Sequence, residues 1–273
     1  MTEVTAGCTL AFDVTAPAEI VLQIAAAHRP GVTATDSLVT SLDGTPIDAS
    51  PVESRDGGRL HVLRPAPGRL EITYTVEASL SPAPADVTPL ARIEALRPSR
   101  YCPSDRLAPF ATRQFGIIDP FDAGAVRETV MAVARFVHER TRYQPGASTG
   151  TTDATDTLLA GAGVCRDFAH LVATLLRALD IPARTAAVYA PGLSPMDFHA
   201  VAEVAIDGVW RVVDATRLAP RQSLLRIATG PDAATTAFAT VQAGVADLST
   251  LDVHAIVVGD LPFDDGTAEI TVP

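Results

Sequence analysis

Apolar and polar residues alternate in several runs within the first eighty positions of the chain. The alternation is cleanest over residues 69–77, and shorter runs of the same kind occupy residues 10–14 and 20–24. A period of two is typical of strands that bury one face. Because clusters of Gly, Pro and Asp separate these runs, we predict a small antiparallel β-sheet or sandwich over residues 1–80.

Beyond residue 121 the apolar period becomes that of a helix. Four valines form one stripe behind a candidate capping residue, Asp122: Val126, Val130, Val133 and Val137. A short helix is predicted over residues 154–160, and another begins at or beside Cys165 and ends before Pro182. Residues 81–121 are rich in proline and turn formers, so we predict a linker or connector there, between a β domain (1–80) and a second domain (122–273).

Residues 199–214 predict a β-hairpin. An alternating run ends at Ile206, Asp207-Gly208 is a strong two-residue turn signal, and the return strand runs to Asp214. That turn places Ala205 opposite Trp210 and, by extension, Val201 opposite Asp214. His199 and Asp214 then project from one face as diagonal neighbours, roughly 7–8 Å apart at the backbone.

The C-terminal residues give a weaker pattern. We expect residues 224–245 to be mostly helix or loop, and residues 255–258 and 269–272 to be closing strands. The whole pattern predicts an α+β protein.

Composition and charge narrow the function classes. The chain has 273 residues, and its net charge of −11 argues against nucleic acid or an anionic membrane as a partner. No apolar run is long enough to span a bilayer, and the N-terminal residues lack the features of a signal peptide, so we expect a cytoplasmic protein. Three cysteines without a C-x-x-C pair argue against a disulfide framework and a structural zinc site.

Three residues carry candidate chemistry: Cys165, His199 and Asp214. A thiol at a helix N-terminus is favoured as thiolate by the helix dipole, and the free N–H groups there can stabilise an oxyanion. An imidazole held by a carboxylate is the usual activating base for such a nucleophile. Taken singly, Cys165 also fits a small buried residue, His199 a structural histidine and Asp214 a strand-end cap. The three together also fit a zinc site, although zinc ligands are usually more closely spaced.

Several separate motifs resemble the bacterial transglutaminase-like superfamily. They are Gly163-Val164-Cys165-Arg166-Asp167-Phe168-Ala169-His170-Leu171, Leu176-Arg177-Ala178-Leu179-Asp180-Ile181-Pro182-Ala183-Arg184, Phe198-His199-Ala200 and Asp214-Ala215-Thr216. They occur in the family's order between about residues 143 and 217. Val201 stands where the family often has Trp, and Asp180 where it often has Gly.

The resemblance implies a papain-like, transglutaminase-type domain with Cys165 as nucleophile, His199 as base and Asp214 as orienting acid. Cys165 would form a thioester with a carboxamide or peptide donor and pass the acyl group to an amine or to water, without a metal or organic cofactor. Glu203 shares the His199 face and also matches the family pattern, so we interpret it as a supporting carboxylate. Tyr143 and Gln144 are weaker candidates for an oxyanion donor.

The expected partners are a protein or peptide amide donor and a small amine acceptor. The chain contains no lysine, so apart from its α-amino group it cannot be its own acyl acceptor. Two alternatives stay open: a thiol peptidase or amidase that only hydrolyses, and an inactive protein-interaction module that keeps the fold.

Overall fold

The computed structural model describes residues 1–83 and 85–273, so Pro84, inside the predicted linker, lies outside the described residues. The strands are β1 (Thr2–Leu22), β2 (Val32–Leu42), β3 (Thr45–Pro46), β4 (Ser50–Glu53), β5 (Arg59–Leu63), β6 (Gly68–Leu80), β7 (Arg142–Tyr143), β8 (Ala162–Gly163), β9 (Ala183–Tyr189), β10 (His199–Ile206), β11 (Val209–Val213), β12 (Leu225–Gly230) and β13 (Ala239–Val257). The helices are α1 (Pro89–Glu94), α2 (Ser104–Phe115), α3 (Ala123–Arg140), α4 (Ala154–Ala160), α5 (Cys165–Arg177) and α6 (Ala233–Thr236). The predicted α+β class is confirmed.

The N-terminal sheet is built around β1. This strand pairs antiparallel with β6 on one side and with β13 on the other, while β5 pairs with its C-terminal end. The predicted alternation of β6 is confirmed, since Leu70, Ile72 and Tyr74 are buried and the residues between them are exposed. Burying such a face is the main favourable contribution to folding of a sheet.

The prediction for the C-terminal residues is wrong in two places. Residues 225–230 and 239–245 form strands rather than helix or loop, and residues 269–272 form no strand, whereas the strand predicted at residues 255–258 is present as the end of β13. The long strand β13 joins the N-terminal sheet through pairs such as Leu10 with Leu251. Seventeen of its nineteen residues are exposed or half-buried and its register shifts at bulges, so the sequence shows no clean alternation there.

The predicted connector over residues 81–121 is also more ordered than expected. It contains α1 and α2, and Leu107 and Ala111 of α2 join Cys102 in the core of the second half of the chain. Prolines at 103 and 109, at the start and inside α2, produced the turn-like pattern in the sequence. The domain boundaries at residues 80 and 121 stay a prediction.

The second half of the chain packs α5 against an antiparallel sheet in the order β11-β10-β9-β12. The predicted hairpin is confirmed: Ala205 pairs with Trp210, and Asp207 and Gly208 take the positive φ values of the tight turn. Asp122 caps α3 as predicted, because its Oδ1 accepts from the Gly124 amide at 2.8 Å. The described residues include no helix that is long and apolar enough to cross a bilayer.

The two halves share one core. Tyr189 of β9 donates its hydroxyl hydrogen to the Ile24 carbonyl at 2.8 Å, and Leu225 and Ile227 of β12 pack into the cluster formed by β1 and β6. The N-terminal sheet therefore forms a wall beside the end of α5 that carries Cys165.

Candidate active site

Cys165 is the first residue of α5, as the sequence predicts. Asp167, two residues further, is fully buried, and its Oδ2 accepts from the Val164 amide at 2.8 Å, which closes the turn before the helix. A Cβ atom on Gly163 would lie 2.7 Å from Cβ of Asp167, so only glycine fits there. The turn thus fixes the position of the thiol, which is half-buried.

His199 and Asp214 form a buried pair. Nε2 of His199 lies 2.8 Å from Oδ2 of Asp214, and the two side chains are 0% and 2% exposed. The other carboxylate oxygen accepts from the backbone amide and hydroxyl of Thr216, at 2.9 and 2.7 Å. The register of β10 with β11 brings these side chains together, as the hairpin count predicts.

Charge stabilises this pair. Although burial opposes a charge on either group, Asp214 raises the pKa of His199 to about 10, with a further contribution from Cys165. In turn, although burial acts in the opposite direction, His199 and Thr216 hold the pKa of Asp214 below its usual range. The imidazole is therefore held protonated at neutral pH.

The second ring nitrogen of His199 is the one available to the thiol. Nδ1 is buried and has no hydrogen-bond partner among the residues that the structure describes. The Cys165 thiol donates to the Phe198 carbonyl with a sulfur–oxygen distance of 3.8 Å, which places it beside the start of β10. The structure thus brings together the three side chains singled out in the sequence.

Tyr143 and Gln144 lie next to the nucleophile in different ways. Tyr143 pairs with Gly163, two residues before Cys165, through the short parallel strands β7 and β8, and its ring packs against Phe168 with ring centroids 6.1 Å apart. Burial raises the pKa of Tyr143 to about 12, so it stays a neutral donor. The Gln144 side chain is exposed, and its Oε1 accepts from Arg142 at 3.1 Å. Of the two weaker candidates, Tyr143 is the one that lies close enough to Cys165 for the thiol to affect its pKa.

Glu203 belongs to a buried ionic cluster rather than to the thiol site. Its carboxylate accepts from Arg184 at 2.8 Å and from both terminal nitrogens of Arg226. Burial alone would raise its pKa, but Arg226 and Arg184 lower the pKa of Glu203 to about 2. The sequence signal that was missed is an arginine inside each of the two buried strands β9 and β12.

A cavity of about 520 Å³ opens beside Cys165 and His199. Residues from both halves of the chain line it, including four that lie far from the sequence motifs and were not predicted: Gln23, Ile227, Phe238 and Leu251. Gln23 carries the one clear signal, because it is a lone polar residue inside the apolar run of residues 20–27.

His170 also borders this cavity but is tied up by its neighbours. It stacks on Tyr101 with ring centroids 5.2 Å apart, and its Nε2 accepts from the Ala233 amide at 3.0 Å. Burial lowers the pKa of His170 to about 4, so it is neutral at pH 7. Cys102 is fully buried, with its sulfur 3.6 Å from the His170 carbonyl. None of these interactions of His170 and Cys102 involves the thiol of Cys165.

No group of three or more His, Cys, Asp or Glu side chains within residues 1–83 and 85–273 has an arrangement that could hold a metal ion. Zinc coordination by Cys165, His199 and Asp214 therefore has no support in the geometry.

Comparison with known proteins places this site in a family. The family model described as "Transglutaminase-like superfamily" matches residues 119–215, which contain Cys165, His199 and Asp214. The crystal structure of a "Putative Cysteine Protease" from Cytophaga hutchinsonii superposes with a TM-score of 0.86 at 30% identity, over 98% of this chain and 96% of that one. The chain belongs to the transglutaminase-like superfamily.

A curated relative is similar over part of the chain. "Uncharacterized protein ML0607" of Mycobacterium leprae is 34% identical over 97 residues, which are 35% of this chain and 33% of that protein. The chain thus matches about a third of the length of this relative. Membership of the transglutaminase-like superfamily supports cysteine-based enzyme chemistry in general.

Proposed function

We propose that this transglutaminase-like protein cleaves an amide bond through a thioester on Cys165. The observation that carries the proposal is the Cys165 thiol at the start of α5, beside an imidazole whose Nε2 is held 2.8 Å from a buried carboxylate. Keeping His199 and Asp214 charged away from water costs desolvation free energy. A surface that only binds a partner has no need for such a buried ion pair.

In the proposed reaction the Cys165 thiolate attacks the carbonyl carbon of a carboxamide or peptide bond. His199 then gives its Nδ1 proton to the departing nitrogen, and the C–N bond breaks to leave a thioester and a free amine or ammonia. Asp214 keeps the imidazole in the orientation that presents Nδ1. In the second half-reaction the neutral imidazole takes a proton from the attacking amine or water, and the thiolate leaves.

The oxyanion formed in both steps needs donors close to Sγ. The backbone amide of Cys165 at the start of α5 is one candidate, and the neutral Tyr143 hydroxyl, which lies close to Cys165, is the second. A residue of this kind typically contributes about 10²–10³ in rate. We therefore include Tyr143 in the proposed machinery and leave Gln144 out.

The proposed partners are a protein or peptide that supplies the amide and, for transfer, a small amine that accepts the acyl group. The choice of acceptor separates a transferase from a peptidase or amidase. Ammonia release and new peptide termini are to be measured with and without added amine, using a pool of peptides that contain Gln and Asn side chains. Intact-mass spectrometry of the enzyme during turnover detects the acyl-enzyme.

The expected result is an acyl adduct on wild type that is absent from Cys165→Ala and present in Cys102→Ala, the matched control for a buried thiol. Product that appears without amine indicates hydrolysis, and product that requires amine indicates transfer. An adduct or turnover that persists in Cys165→Ala contradicts the proposal, and so does the absence of both adduct and product when the folded protein is tested against the full pool.

A further inference from the structure

We infer that the cavity beside Cys165 is the acyl-donor pocket and that it selects a bulky apolar side chain, preferably an aromatic ring. This inference rests on the proposed function. The pocket lies between the N-terminal sheet and the second half of the chain, so the β domain takes part in choosing the substrate.

An apolar wall begins next to the reacting sulfur. Phe198, whose carbonyl accepts from the Cys165 thiol, stacks on Phe238 with ring centroids 4.9 Å apart and an interplanar angle of 19°. Leu251 of β13, Ile227 of β12 and Ala187 of β9 continue this wall. A side chain close to the scissile carbonyl would therefore meet aromatic and aliphatic carbon.

The cavity has enough room for such a side chain. A cavity of roughly 150 Å³ lined by aliphatic and aromatic side chains holds benzene. The cavity here, at about 520 Å³, has space for a ring together with the neighbouring backbone atoms of a peptide. Pockets of this size usually bind a ligand by apolar contact with a few polar groups that fix its orientation.

The charged side chains at the cavity are already engaged or stand at its rim. The Arg166 guanidinium donates to Ser148, to the Thr149 carbonyl and to Asp167, all within 3.2 Å. Asp197 is exposed and uses one oxygen to accept from the Phe198 amide at 2.7 Å. A charged substrate side chain would thus lose water inside the pocket without gaining an ion pair.

Gln23 supplies a polar group on the otherwise apolar wall. The residue is only 3% exposed, and its side chain lines the cavity. It stands between this cavity and a second one of about 510 Å³. A buried amide of this kind can hydrogen-bond the backbone of an extended peptide donor, which leaves the side-chain preference to the apolar wall.

The test uses electrophiles that alkylate Cys165 without requiring turnover. Chloromethyl ketones of acetyl-Phe, acetyl-Ala, acetyl-Glu and acetyl-Arg lose chloride as a C–S bond forms, and their rates are divided by those with a free model thiol. Burying an aromatic side chain is expected to favour the Phe reagent over the Ala reagent by about 10- to 100-fold. The Glu and Arg reagents are expected to be no faster than the Ala reagent.

Two variants test the same wall in opposite ways. Phe238→Ala removes one of the stacked rings and should reduce the Phe-to-Ala rate ratio at least fivefold. Leu251→Trp is the second variant, used in case Phe238→Ala does not fold. Leu251 is 40% exposed, and a tryptophan there should fill the cavity and reduce the same ratio. Phe121→Ala is the matched control, because Phe121 is 84% exposed and does not line the cavity.

Iodoacetamide separates failure of the pocket from failure of the chemistry. Fast iodoacetamide labelling that depends on His199, combined with equal rates for the four ketones, overturns the pocket and leaves the proposed function standing. A faster reaction with the Glu or Arg reagent than with the Phe reagent likewise overturns the apolar pocket and leaves the proposed function standing. Slow iodoacetamide labelling that is unchanged in His199→Ala overturns the proposed function itself.

Discussion

Glu203→Gln is expected to destabilise the protein without removing the nucleophile. The Glu203 carboxylate is fully buried and ion-paired with Arg184 and Arg226. Arg184 also stacks over the indole of Trp210, with its Cζ 4.2 Å from the ring centroid, and forms an ion pair with Asp56 from the N-terminal half. Glutamine keeps the shape of the side chain but leaves two buried arginines without their shared counter-charge.

The size of the effect follows from the pKa of the carboxyl. The arginines lower the pKa of Glu203 from 4.5 to about 2, against the effect of burial. At 1.36 kcal/mol per unit, the charged form contributes about 3 kcal/mol to the free energy of unfolding. Loss of one partner from a buried ion pair costs about 3–5 kcal/mol, which agrees with that figure.

The sign of the pH dependence is fixed by the same shift. Because the folded-state pKa of Glu203 is depressed, its contribution is fully present above about pH 4.5 and is lost as the pH falls towards 2. The difference in stability between wild type and Glu203→Gln should therefore be largest at neutral pH and should shrink in acid.

The assay is urea unfolding followed by the fluorescence of Trp210, the chain's single tryptophan, which lies beside the cluster. Glu71→Gln is the matched control, because Glu71 is 53% exposed and its ion pair with Arg69 is worth at most about 1 kcal/mol. A loss below 1 kcal/mol in Glu203→Gln, or a loss equal to that of the control, refutes the structural interpretation. Normal stability with abolished Cys165 labelling would instead assign Glu203 to the chemistry.

Three further predictions concern single residues. Asp214→Asn removes the main group that raises the pKa of His199. Cys165 labelling by iodoacetamide should therefore slow at least tenfold at pH 6 and much less at pH 9. Equal slowing at both pH values would contradict this role of Asp214. The pKa of His170 is depressed to about 4 by burial, so stability should be full above about pH 6.5 and fall as the pH approaches 4, and His170→Phe should flatten this part of the urea-unfolding profile. Asp180 has a φ of 60°, in the left-handed region that a β-branched residue disfavours. Asp180→Val should therefore lower the free energy of unfolding in urea by about 1–2 kcal/mol, whereas Asp180→Gly should change it little. Equal effects of the two substitutions would show that the left-handed backbone does not determine which residues are tolerated at this position.

The hairpin that carries His199 was predictable because its information is local. Asp207 and Gly208 determine the turn, the turn determines the register, and the register brings His199 to Asp214. The start of α5 was predictable for the same reason, since the glycine-containing turn and the apolar stripe lie within fifteen residues of Cys165. Asp180, which departs from the family pattern, adopts the left-handed backbone that glycine would take there, and aspartate tolerates that conformation.

The parts that could not be predicted depend on contacts between distant segments. Strand β13 pairs with β1 more than two hundred residues away, and its exposed side chains leave no periodic signal. The cavity is lined by Gln23 and Leu251, which no motif near Cys165 could indicate. Glu203 was recognised as a family position, but its role depends on Arg184 and Arg226, which lie on two other strands. Local patterns thus gave the nucleophile and its partners, whereas the substrate wall required the fold.

The most direct test of the central proposal is the rate of iodoacetamide labelling at Cys165 as a function of pH, followed by peptide mapping in wild type and His199→Ala. The account predicts that wild type keeps most of its rate at pH 6.5, where an ordinary thiol is almost entirely protonated. It also predicts that His199→Ala loses this rate at pH 6.5 and recovers above pH 9. Labelling that follows an ordinary thiol at every pH, and is unchanged in His199→Ala, would contradict an activated nucleophile.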